Sequence, residues 1–118
     1  MLLYKLKNKK EACKYGVAEV DELGRVVKFE EKPSQPFSCY VSFGIYYLPK
    51  NKLKLIFKFL KSHKKNDAPG EYFQWLISND SLYGFIQSGG IWIDIGDKQR
   101  YYGAEEIVQK SRRLLWRK

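Results

Sequence analysis

The sequence predicts an α/β fold in which a mixed sheet carries packed helices. Residues 17–20 and 25–30 are strand-length runs on either side of the turn tetrapeptide Asp21-Glu22-Leu23-Gly24. Leu53, Ile56, Phe57 and Leu60 recur at helical spacing, and Tyr72, Phe73, Leu76 and Ile77 do the same. The order along the chain is strands, helix, helix, hairpin, helix, and 118 residues amount to a single domain, 1–118. A chain of that size buries roughly two-thirds of the surface it exposes when unfolded, enough for a core.

Residues 2–6 make the first strand, and the polar stretch 7–14 supports one loose helical turn. Residues 17–20 and 25–30 pair as a hairpin, with Gly24 taking the positive φ of its turn. Pro33 ends the second of these strands because proline cannot donate to a ladder, and residues 34–38 form an irregular loop. Residues 41–48 are rich in β-branched and aromatic side chains and apolar on both faces, which predicts a central, covered strand. Gly44 in its middle marks a bulge or a close approach, and Pro49 breaks it. The first helix turns Leu53, Ile56, Phe57 and Leu60 inward and its lysines outward. Asp67 caps the second helix, with Pro69 in its first turn. Residues 82–87 are a strand, Ser88-Gly89-Gly90 a turn and 91–95 the partner strand, ended by Gly96. Asp97 caps a last helix that reaches residue 113, with Ile107 and Val108 inward.

Composition excludes several function classes. Apolar residues are 44% and aromatics 16%, which is incompatible with disorder. No apolar run approaches the roughly 20 residues that span a bilayer, so no membrane partner is expected. The first residues, Met1 to Lys5, are too short and too mixed for a signal peptide. Cys13 and Cys39 have neither metal-ligand nor framework spacing and read as reduced thiols, which places the chain in the cytoplasm. His63 follows a lysine-rich helix and reads as a solvated helix end. The net charge of +9 suits a polyanion, but the excess lies in residues 50–65 and 110–118. Neither stretch interleaves basic residues with a strand face of exposed aromatics, so no nucleic acid is expected.

Two segments carry chemistry. In Phe29-Glu30-Glu31-Lys32-Pro33 a lysine flanked by glutamates closes an alternating strand. In Trp92-Ile93-Asp94-Ile95-Gly96 an aspartate lies between an aromatic and a glycine. A phosphorylated sugar and a metal need residues of these kinds. A glycine-rich loop to cradle a triphosphate is the missing complement, and Ser88-Gly89-Gly90 has no basic residue after it to serve as one.

Tyr15-Gly16-Val17-Ala18-Glu19-Val20-Asp21, Gly24-Arg25-Val26-Val27, the Glu31-Lys32-Pro33 segment, Gly44-Ile45-Tyr46 and the Asp94 segment, in this order, resemble the sugar-1-phosphate nucleotidylyltransferases. The glucose-1-phosphate thymidylyltransferase branch is the most similar, and the resemblance runs from Leu2 to about Glu106. It implies the sugar-binding half of a nucleotide-diphospho-sugar transferase fold, the C-terminal half of such an enzyme. Members attack the α-phosphorus of a nucleoside triphosphate with a sugar-1-phosphate oxygen, and magnesium assists as pyrophosphate leaves. The resemblance puts Lys32 on the sugar phosphate and Glu31 on the sugar hydroxyls. Tyr15 and Gly16 fall at the sugar, where a glycine admits close backbone approach; Gly16 is otherwise a strand-start glycine. Tyr46 falls near the sugar phosphate or is a core aromatic, and Trp92 is likewise a contact or a core residue. Ser42 and Phe43 depart from the family pattern of an apolar residue and a threonine beside the sugar. Asp94 matches the second of two metal aspartates, so Lys32 and Asp94 are the catalytic pair and Asp94 the metal ligand.

The family's triphosphate loop and first metal aspartate have no counterpart in these residues. The implied protein is a truncated product or one subunit of a split enzyme, inactive alone, with a separately encoded N-terminal half and sugar-1-phosphate as partners. Magnesium is expected only with nucleotide and that half. The rival functions are a non-catalytic module that binds sugar phosphates and a basic interaction module. Residues 2–6 and 41–48 would leave an open strand edge in the absence of the front half, which predicts a homodimer. The nucleobase is not written in these residues.

Overall fold

The computed structural model describes residues 1–63, 69–87 and 89–115, with side chains described through residue 111. The chain divides into two compact units, Met1–Ser88 and Gly89–Lys118. The first unit holds a five-stranded mixed sheet with helices, as expected. Its strands are β1 (Leu2–Lys5), β2 (Gly16–Val20), β3 (Val26–Glu31), β4 (Tyr40–Ser42) and β5 (Phe85–Gln87), in the order β3-β2-β4-β1-β5. All neighbours are antiparallel except β1 and β5, which run parallel.

The β2–β3 hairpin forms where the sequence places it. Gly24 has φ 78°, and Asp21 Oδ1 accepts from the Leu23 and Arg25 amides at 3.0 and 2.8 Å. The polar stretch before it makes a 3₁₀ turn, Lys9–Lys14, with the Asn8 side chain accepting from the Lys10 amide at its start. Leu3, Val17, Val26 and Val41 are fully buried, each burial stabilising the fold by about 1.5–3 kcal/mol.

Helices α1 (Lys54–Ser62) and α2 (Pro69–Asn79) complete the first unit. Pro69 occupies the first position of α2, as proline prefers, while the cap expected at Asp67 lies outside the described residues. Helix α2 packs Phe73 against Phe29 of β3, ring centroids 5.9 Å apart, and against Tyr46 at 4.5 Å. In α1 the covered face is not the expected one: Phe59 is buried and Leu55 and Ile56 partly so, whereas Leu53, Phe57 and Leu60 are exposed. Phe59 meets Tyr72 and Trp75 of α2, and this aromatic contact sets the rotation of α1.

The strand expected over residues 41–48 is central but ends at Ser42. Gly44 has φ 83°, which turns the chain out of the extended run, although the Ile45 carbonyl still accepts from the Leu2 amide at 3.0 Å. A Cβ at Gly44 would meet nothing within 4 Å, so the backbone bend, and no close approach, calls for glycine there. Strands β1 and β4 are interior and paired on both sides, so they offer no open edge for a homodimer; the edges are β3 and β5. Of the hairpin expected between 82–87 and 91–95, only Phe85–Gln87 is strand among the described residues. Strand β5 takes β1 as its partner, Tyr83 bridges Arg25, and 91–95 has no ladder among the described residues. Of the turn between them, Gly89 and Gly90 have φ of 84° and 80°, and Ser88 lies outside the described residues.

The second unit contains α3 (Lys98–Leu115). Its Asp97 cap is present: Oδ1 accepts from the Arg100 amide at 2.8 Å. Ile107 and Val108, expected to face inward, are exposed, and among the described side chains of α3 none is buried. No helix among the described residues is long and apolar enough to cross a membrane.

Candidate functional site

The β2–β3 ladder brings four of the sequence-predicted residues together. Gly16 lies opposite Glu31, and one step on, the Lys32 amide donates to the Tyr15 carbonyl at 3.0 Å. Strand β4 continues the row on the other side of β2. Val17 pairs with Val41, so Gly16 and Ser42 are the next neighbours along that ladder. Ser42 Oγ and Tyr46 Oη then share a hydrogen bond of 3.0 Å. Glu31, Gly16, Ser42 and Tyr46 thus form a line across one end of the sheet, and α2 covers part of it.

This line is closely fitted. A Cβ at position 16 would lie 2.5 Å from Phe29 Cζ and 2.9 Å from Glu31 Oε2, so only glycine fits. Position 70, in the first turn of α2, is closed in the same way, 2.6 Å from Glu31 Oε2 and 3.0 Å from Glu31 Cβ. The Glu31 carboxyl therefore sits between two glycines drawn from distant parts of the chain. Lys32 has φ 47°, a non-glycine residue held in the left-handed region, and its side chain is exposed. That conformation costs of order 1–3 kcal/mol and persists only where the surroundings impose it. Here the Tyr15 hydrogen bond before it and the buried Pro33 after it do so.

Trp92 and Asp94 belong to the second unit. Asp94 Oδ1 accepts from the Gly96 amide at 2.9 Å, and Oδ2 pairs with the Arg100 guanidinium. Arg100 Nε also reaches Asp97 Oδ2 at 2.7 Å, so one guanidinium bridges two carboxylates. The Arg100 amide, donating to Asp97, holds that carboxyl below its ordinary value. Among the described residues no group of three or more His, Cys, Asp or Glu is placed to hold a metal. A single carboxylate such as Asp94 is compatible with magnesium, which takes one or two and keeps most of its waters, but here that carboxylate is paired with Arg100.

Gly70, the Lys32 backbone and Arg100 were not singled out from sequence. A glycine directly after the first proline of a helix was the available signal for Gly70. The Asp97-x-x-Arg100 spacing was the signal for Arg100, since residues three apart meet on a helix. The φ of Lys32 left no mark in composition. A concavity of about 610 Å³ between α1 and α2, lined by Phe59, His63, Glu71 and Trp75 among others, includes none of the sequence-predicted site residues.

The sequence matches the family described as Nucleotidyl transferase over residues 1–111. A glucose-1-phosphate adenylyltransferase of Desulfitobacterium hafniense, strain DSM 10664 / DCB-2, is 32% identical over 86% of this chain and 26% of its own length. The protein of the same description from strain Y51 matches with the same identity and coverage. The chain spans about a quarter, 26%, of the length of these curated relatives.

Proposed function

Because this chain belongs to the nucleotidyl transferase family, we propose that it is the sugar-phosphate-binding part of a sugar-1-phosphate nucleotidylyltransferase and takes glucose-1-phosphate. The observation that carries the proposal is the left-handed Lys32, φ 47°, between Glu31 and Pro33 at the end of β3. Strain of this kind clusters at ligand clamps, where a side chain must be aimed against its backbone preference. Lysine suits the sugar phosphate as a mobile point charge on a long stem. Glu31 accepts from the sugar hydroxyls, Gly16 gives its own side-chain space to Phe29 and the Glu31 carboxyl, Tyr15 stands next to it, and Ser42 and Tyr46 present a hydroxyl pair beside the ring.

In the second unit Trp92 flanks Asp94, and Asp94 is the group that would hold magnesium together with nucleotide phosphates. The ion supplies neutralisation of phosphate charge during displacement. In this reading the triphosphate is bound by a part of the enzyme other than these residues, and without preorganised neutralisation of the leaving pyrophosphate the chain alone is expected to release none. The engagement of Asp94 by Arg100 favours one rival, a sugar-phosphate binder that performs no transfer.

Calorimetric titration with glucose-1-phosphate tests the proposal. Weak binding is expected, abolished in Lys32→Ala and unchanged in Lys54→Ala, an exposed lysine at the start of α1. Equal loss from both variants would point to a diffuse basic surface and end this reading.

A further inference from the structure

We propose that Gly70 is a positioning residue that sets the Glu31 carboxyl, so that the first turn of α2 takes part in choosing the sugar. The inference rests on the reading of Glu31 as the acceptor of sugar hydroxyls. Its physical basis is independent of that reading. A Cβ built on Gly70 would lie 2.6 Å from Glu31 Oε2, 3.0 Å from its Cβ and 3.3 Å from its Cδ. Rotating Glu31 would clear the Oε2 and Cδ contacts only by moving the carboxyl, and the contact with its Cβ, next to the backbone, is not relieved by rotation. On the opposite side the same Oε2 is 2.9 Å from the Cβ that Gly16 lacks. The carboxyl is thus seated in a slot whose two walls are bare backbone, one on β2 and one on α2.

Helix propensity argues against glycine here. A glycine inside a helix is less favourable than alanine, so position 70 carries a residue that α2 itself does not want. Gly70 is buried and its φ is not positive, so left-handed backbone is not the reason for it. Space for Glu31 is the reason the structure supplies. Gly103 in α3 makes the contrast: a Cβ there meets nothing within 4 Å.

Moving the carboxyl by the width of a methyl group breaks the alignment of its hydrogen bonds to a sugar. Losing one hydrogen bond to a charged acceptor weakens binding by about tenfold or more. A slot fixed on both sides also distinguishes sugars by where their hydroxyls stand, because the acceptor cannot follow a displaced hydroxyl.

Gly70→Ala is examined alone and in the Glu31→Gly background, with Gly103→Ala as the control. In the chain with Glu31 intact, Gly70→Ala should shift the Glu31 side-chain carboxyl ¹³C resonance, weaken glucose-1-phosphate by about tenfold and lower Tm. In the Glu31→Gly background, where all three obstructing atoms are gone, the same substitution should raise Tm, as alanine in a helix ordinarily does. Gly103→Ala should leave the Glu31 resonance and the affinity unchanged. A Tm effect of the same sign in both backgrounds, or an unmoved Glu31 resonance, would overturn the proposal. If the unaltered chain binds no glucose-1-phosphate, the sugar reading fails, and the resonance and the Tm inversion still decide whether Gly70 sets Glu31.

Discussion

Lys32 and Asp94 each lie within two residues of a chain-breaking residue, Pro33 and Gly96, yet different kinds of contact fix them. Lys32 is held by pairing between strands: its amide is bonded to Tyr15, Glu31 beside it faces Gly16, and α2 closes over the row through Gly70 and Phe73. Asp94 is held from within its own neighbourhood, by the Gly96 amide and by Arg100 six positions on. Interstrand contacts form and fail with the sheet core as one cooperative unit, whereas local contacts open singly. A residue strained to φ 47° needs the first kind of support. Among the described residues, Asp94 has only the second kind.

The contrast should break most visibly under core substitution. Leu3 on the interior strand β1 is fully buried, and Leu3→Ala should cost about 2–5 kcal/mol, enough to lower Tm by about 10 °C or more. Val108→Ala on α3, at a position 40% exposed, should stay within about 0.5 kcal/mol. Thermal unfolding followed by circular dichroism checks both, and equal losses would remove the distinction between the two units.

A smaller effect with opposite signs sharpens it. Lys32→Gly relieves a left-handed residue and should stabilise the chain by about 1 kcal/mol in denaturant titration, while sugar-phosphate binding disappears. A destabilised Lys32→Gly would mean that the backbone there is not strained.

The smallest effect concerns the local side. The Asp97 carboxyl, held below its ordinary 3.8 by the Arg100 amide, supports the start of α3 at any pH above that value. Its support is lost as pH falls through the lower, folded value. Helicity at 222 nm should therefore hold steady from neutral pH down to about 4 and decline below it. The part of the decline due to this cap should be missing in Asp97→Ala, which starts from lower helicity.

What could be read from sequence divides along the same line. The β2–β3 hairpin, the 3₁₀ turn before it and the Asp97 cap were legible because each is fixed by residues only a few positions apart: Asp21 with Arg25, Asn8 with Lys10, Asp97 with Arg100. The rotation of α1 was not, because the contact of Phe59 with α2 decides it over the apolar pattern of Leu53, Phe57 and Leu60. The length of β4 was misread because its apolar run continues past the bend at Gly44. Residues 91–95 were expected to be a strand, and no ladder forms there among the described residues. In the candidate site, the nearness of Gly16, Glu31 and Lys32 followed from hairpin register. Gly70 entered only through the packing of α2.

The most direct measurement is the ³¹P resonance of glucose-1-phosphate titrated with the chain in the absence of divalent cation. The sheet-fixed site predicts a saturable shift that is lost in Lys32→Ala and kept in Asp94→Asn. A shift that survives Lys32→Ala, or one that Asp94→Asn removes, would contradict the assignment of phosphate recognition to the Lys32 end of the sheet.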